Sequence, residues 1–104
     1  ALEQFEKVVS LDPNSPNGYL WRGIALYEKK NYPDALRSLL KANDLTSGQI
    51  AEVHWQLARV YKEQKKFEKS ADHLELFLKY NPEAQNHAEI KKVIATLREK
   101  NKGS

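Results

Sequence analysis

His54, His73 and His87 are the side chains of this 104-residue sequence best suited to proton transfer or metal ligation. Their spacing supports neither. There is no His-Glu-x-x-His run, and no two histidines stand one helical turn apart, where two ring nitrogens would meet one ion. Asp72 precedes His73, but neighbours in sequence on a helix point to different faces and do not pair. The absence of cysteine removes thiolate nucleophiles, thiolate metal sites and disulfides. Four glycines, none clustered, make no phosphate-cradling loop. His54 is expected in the core, and His73 and His87 at the surface. The expectation is a chain that is not an enzyme, with no cofactor and no metal.

Recognition chemistry is easier to read. Trp55, Arg59 and Lys62 share one helical stripe, about a third of a turn round from a core stripe of His54, Leu57, Ala58 and Tyr61. An aromatic ring supplies contact area at low entropy cost, while arginine forks onto a carboxylate or stacks on a ring. Lys29-Lys30 and Lys65-Lys66 look like a basic rail, yet each pair ends a helix, where cations meet the negative end of the dipole.

These residues must be positioned by helices. Leu2, Phe5, Val8 and Val9 recur at helical spacing over Ala1 to Leu11, and Pro13 ends that run. Ser15 is placed to cap a second helix, Pro16 to about Lys30, with Pro16 in its first turn. A third runs from Pro33 to Leu45, burying Ala35, Leu36, Leu39, Leu40 and Ala42, and Gly48 is expected as its left-handed cap. Helices over Gln49 to Gln64 and Phe67 to Tyr80 follow, joined at Lys65-Lys66, where a strained or adjusted turn is expected. After Pro82, Glu83 to Lys100 places Ile90, Val93, Ile94 and Leu97 on one narrow stripe, suiting a terminal capping helix. A frayed tail is expected over residues 101–104.

The helices repeat. In the stretch Val53 to Pro82, Leu57-Ala58, Tyr61, Ser70, Leu74, Phe77 and Pro82 follow an order that resembles the tetratricopeptide repeat. A shift of about 35 residues places Gly23 under Ala58, Tyr32 under Phe67, Ala35 under Ser70 and Leu39 under Leu74. Small residues recur where two helices must approach closely. The resemblance implies an all-α fold, a right-handed stack of antiparallel helix hairpins in one domain. Its parts would be the second helix of a truncated repeat (1–15), two repeats (16–50 and 51–84), a capping helix (85–100) and a tail (101–104). A start in mid-repeat predicts a piece of a longer array.

The resemblance further implies a protein-interaction scaffold whose concave groove carries a peptide or partner segment on Leu20, Ile24 and Tyr27 of one repeat and Trp55, Arg59 and Lys62 of the next. On the last helix the equivalent positions are Glu89, Val93 and Thr96. The alternative for Leu20 and Ile24 is packing against a preceding helix. One branch of the family clamps the terminal carboxylate of heat-shock chaperones with Lys and Asn, but Leu20, Ile24 and Gln56 stand here instead. A second function class is self-association through Leu2, Phe5, Val8 and Val9, giving a homodimer. Single-stranded nucleic acid is a third, through Arg59 and Lys62 beside Trp55 and Tyr27. Glu28, Glu52, Glu63 and Glu89 around that surface argue against it.

Bulk properties agree with such a scaffold. Hydrophobic residues make up 40%, enough for a modest core, and the 30% charged residues mix both signs to a formal net charge of +3. No apolar run approaches the roughly 20 residues that cross a bilayer, so no membrane insertion is expected.

Overall fold

The structure, a computed structural model, describes residues 14–102. Among them are five helices and no strand. The chain divides into two compact units at Gln49 and Ile50.

In the first unit, α1 (Pro16–Glu28) and α2 (Tyr32–Leu45) form a hairpin. The Ser15 side chain accepts from the Gly18 N–H at 3.3 Å, and Pro16 opens the helix, as the capping pattern predicts. At the other end α1 stops two residues short of the expected Lys30. Lys30 turns left-handed (φ 65°), while the Asn31 N–H reaches back to the Leu26 carbonyl at 2.9 Å. That bond is a Schellman closure with lysine in the place glycine usually takes.

The two helices meet at Gly23. A Cβ added there would lie 2.7 and 2.8 Å from Leu39 side-chain carbons and 3.3 Å from the Ala35 carbonyl oxygen, so only glycine lets the backbones come this close. The buried side of α2 is Ala35, Ser38, Leu39 and Ala42. Leu36 is half-buried and Leu40 exposed, contrary to expectation. Ser38 takes the inward position instead, its hydroxyl accepting from Arg22 of α1. At the end of α2 Gly48 is left-handed as expected, but it shares that role with Ser47. Ser47 (φ 56°) is the left-handed residue directly after the Thr46 cap, and Gly48 (φ 68°) follows it to donate to the Asn43 carbonyl at 2.9 Å.

In the second unit, α3 (Ala51–Glu63) and α4 (Phe67–Tyr80) form a hairpin, and α5 (His87–Lys102) packs on α4. The turn at Lys65 (φ 60°) repeats the Lys30 closure, with the Lys66 N–H on the Tyr61 carbonyl at 2.8 Å. This is the adjusted turn expected from two lysines in a glycine position. Ala58, 1% exposed, receives the Ser70 hydroxyl on its carbonyl at 2.8 Å, so the crossing of α3 and α4 is both close and hydrogen-bonded.

α5 starts four residues later than predicted. After Asn81 the chain makes two turns, Ala84 N–H to the Asn81 carbonyl and His87 N–H to the Ala84 carbonyl, before the Asn86 carbonyl accepts the first helical bond from Ile90. The helix also continues through Asn101 and Lys102, which were expected to fray. Ile90, Ile94 and Leu97 join Ala58, Ala71, Leu74 and Leu78 in one core, whereas Val93 stays 43% exposed. Arg98 ties α5 to α4 from outside, reaching Glu68 at 3.4 Å, Asp72 at 3.0 Å, and Glu75. Those acids recur at helical spacing on one face of α4.

Candidate functional site

In the second unit, Trp55, Arg59 and Lys62 emerge from α3 beside α4 and α5 and frame a cleft of about 240 Å³. Ala58, Leu74 and Leu97 make its apolar lining, and Val93 stands exposed at its α5 side. The Trp55 indole is half-buried, tilted 50° against Phe77 with ring centroids 5.1 Å apart, so it presents one face as a fixed wall. Arg59 is oriented by a relay along its own helix. The buried Gln56 accepts from Arg59 at 2.9 Å through its carbonyl and donates from its amide to Glu52 at 2.8 Å. Lys62 is exposed at the rim. The arrangement offers an apolar slot with cationic groups beside it, which suits an apolar side chain followed by a carboxylate.

Three of the six expected groove residues thus come together with Val93, whose position followed from the repeat register. The other three lie on α1 in the first unit. There Leu20 is buried at 8% exposure, Ile24 is half-buried, and the Tyr27 ring tilts on Tyr32 at 5.7 Å. Sequence reasoning overlooked Trp21, which stands 50% exposed on α1. Its signal was available, since tryptophan is enriched at binding hot spots. Leu74 and Leu97 belong to the core cluster, and that they also line the cleft needs the packing of three helices. The self-association face expected at Leu2, Phe5, Val8 and Val9 lies outside the described residues.

The histidines are arranged differently from expectation. His54 is buried as predicted, but His73 and His87 are half-buried rather than exposed. The hairpin brings the Nδ1 atoms of His54 and His73 within 2.9 Å. Their centroids are 5.1 Å apart, about the N···N distance plus the width of one ring, and the planes differ by 26°. The two nitrogens therefore face each other edge to edge, one donating and the other accepting. Tyr80 extends the row beyond His54 and Tyr61 beyond His73, with centroids 5.9 and 5.5 Å away. Burial, then the neighbouring His54, lowers the His73 pKa to about 4 against a weaker upward pull from Asp72. The nineteen-residue separation of the two histidines hides this pair from any local motif. No group of three or more His, Cys, Asp or Glu among the described residues is placed to hold a metal.

The sequence profile of the family described as Regulator of microtubule dynamics protein 1-3 matches residues 24–102, more than half of the chain. The chain belongs to that family. For this member of the Regulator of microtubule dynamics family, solved structures supply the fold. The TPR2B-domain:pHsp70-complex of yeast Sti1 is similar with a TM-score of 0.82 at 17% identity, over 95% of this chain and 81% of that one. The MamA protein is similar with a TM-score of 0.76 at 22% identity, over 97% of this chain and 58% of that one. No curated protein matches at the level of sequence. The neighbours are tetratricopeptide-repeat proteins, so the family member has the all-α, helical-hairpin fold that its small-residue spacing resembles.

Proposed function

We propose that this chain is a protein-interaction scaffold of the Regulator of microtubule dynamics family, and that its second unit anchors a partner segment in the Trp55 cleft. The observation that carries this reading is the cleft itself, where an indole braced by Phe77 stands over an apolar floor beside Arg59 and Lys62. A rigid aromatic wall around a small apolar slot is the usual composition of a binding hot spot. The family is named for the regulation of microtubule dynamics, and a segment-binding scaffold would suit such work by bringing other proteins together. The yeast Sti1 neighbour is named as a complex with pHsp70. A carboxylate clamp of the chaperone-binding kind is not favoured for this chain. Gln56 is buried and already bonded to Glu52 and Arg59, and Leu20 and Ile24 bring no donors.

The test uses Trp55 as its own reporter. In a Trp21→Phe background, peptides bearing an apolar residue followed by an acidic one should shift the remaining indole fluorescence on binding. Trp55→Ala removes the reporter and is therefore read by titration calorimetry; it should weaken the best of them by about 2 kcal/mol or more, while Lys41→Ala, on exposed α2 surface, leaves it unchanged. Equal losses in both variants would move the site away from the cleft.

A further inference from the structure

A third of a turn round α4 and α5 from the Trp55 cleft, the same two helices enclose a larger, open groove of about 610 Å³. Its floor is apolar: Leu78 and Ile94, each 7% exposed, show their edges there, and Ala95 keeps the α5 wall low. Its walls are cationic. Lys79 on α4 and Lys91 on α5 flank it from facing helices, with His87 at one end. The groove's carboxylate, Glu75, is already bonded to Arg98, whose own charge is answered by Glu75 together with Asp72 and Glu68. Neither Lys91 nor Lys79 makes an ion pair among the described residues; the Lys79 ammonium rests over the Tyr80 ring at 5.3 Å, a contact that leaves its charge without a carboxylate partner.

A capping helix covers a core on one side and is expected to meet water on the other. Instead, His87, Lys91, Ala95 and Arg98 fall on one stripe at helical spacing, and that stripe is one bank of a concavity of ligand size. We propose that this groove is a second docking site, for an acidic peptide segment carrying an apolar side chain. The apolar side chain covers the edges of Leu78 and Ile94, and carboxylates on either side of it meet Lys79 and Lys91. The charge is complementary on both banks, which steers encounter and sets the register of the segment. A simple anion would leave the apolar floor wet, and an uncharged apolar peptide would leave two ammonium groups unanswered. The segment chemistry that satisfies both is acidic and amphipathic.

The experiment uses a fluorescein-labelled synthetic peptide of alternating glutamate pairs and single leucines, followed by anisotropy at low and at physiological salt. Saturable binding that weakens with salt is expected. Lys79→Glu and Lys91→Glu should each weaken it at least about tenfold, whereas Lys41→Glu in the first unit, which carries the same charge change, should alter it less than about twofold. Replacing the peptide's leucines by serine should also weaken it severalfold. All of these titrations are run in a Trp55→Ala background, which removes the cleft's anchor, so that the binding read is the groove's own and its failure is distinct from failure of the cleft. The proposal is overturned if no saturable binding occurs, if Lys41→Glu loses as much as Lys79→Glu, or if the serine peptide binds equally well. Binding to vesicles of anionic phospholipid without binding to the peptide would overturn it too.

Discussion

Replacing Gly23 by alanine adds a methyl group where Leu39 already stands. The new Cβ would lie 2.7 Å from Leu39 Cγ and 2.8 Å from Cδ2, with the Ala35 carbonyl oxygen at 3.3 Å behind. Leu39 is fully buried and cannot swing out, so relief requires the hairpin to open by several tenths of an ångström along its length. Overpacking of this kind costs about 1–3 kcal/mol, and contacts this short on a residue this enclosed belong near the upper end. Against it, alanine gains about 1 kcal/mol over glycine in a helix interior. The net expectation is a loss of about 2 kcal/mol, or roughly 8–16 °C in Tm for a domain of this size. Urea denaturation and thermal melts followed by circular dichroism measure it. The decisive form is a double-mutant cycle with Leu39→Ala, which removes both clashing carbons and is itself expected to cost about 2–5 kcal/mol. In that background Gly23→Ala should be neutral or stabilising, giving a coupling above about 1 kcal/mol. A stabilising Gly23→Ala in the parent chain, or simple additivity in the cycle, would refute the close approach of α1 to α2.

Lys65→Gly should stabilise the second unit by about 0.5–1 kcal/mol, because φ 60° strains a side-chain-bearing residue and suits glycine; chemical denaturation reads it. Acid should weaken the same hairpin. The folded-state pKa of His73, about 4, lies below its ordinary 6.5, so its contribution is complete above pH 6.5 and is lost as pH falls towards 4. The shift sets a ceiling of about 3 kcal/mol, which solvent reaching the half-buried ring reduces to about 1–2. His73→Gln should flatten the stability profile between pH 7 and 4, and an unchanged slope would mean that the ring is not held neutral. Arg98→Ala should release α5 by about 1 kcal/mol, an effect that shrinks in 1 M salt because the three carboxylates it gathers are partly exposed; hydrogen exchange along α5 would locate it.

The positions of the helices and their inward faces were legible in the sequence, because helical periodicity, proline and capping residues act within a few residues of one another. Ser15 and Pro16 start α1, and Phe67 to Tyr80 is α4 to the residue, for that local reason. Gly23, Ala35, Ala58 and Ser70 could be assigned to helix crossings because size alone controls how near two backbones come. Half of the candidate groove, Trp55, Arg59 and Lys62, was legible as one stripe of a single helix. Val93 followed from the repeat register, but what closes that stripe into a cleft did not, since Leu74 and Leu97 come from two other helices and only packing sets them opposite the indole. Tertiary structure alone also decided the outward place of Leu40 and the inward one of Ser38, whose hydroxyl accepts from Arg22. The late start of α5 depended on turn bonds between backbone groups that carry no side-chain signature. The His54–His73 contact and the groove between Lys79 and Lys91 belong to the same class: each joins residues on different helices, where charge, burial and hydrogen bonding arise from proximity in space.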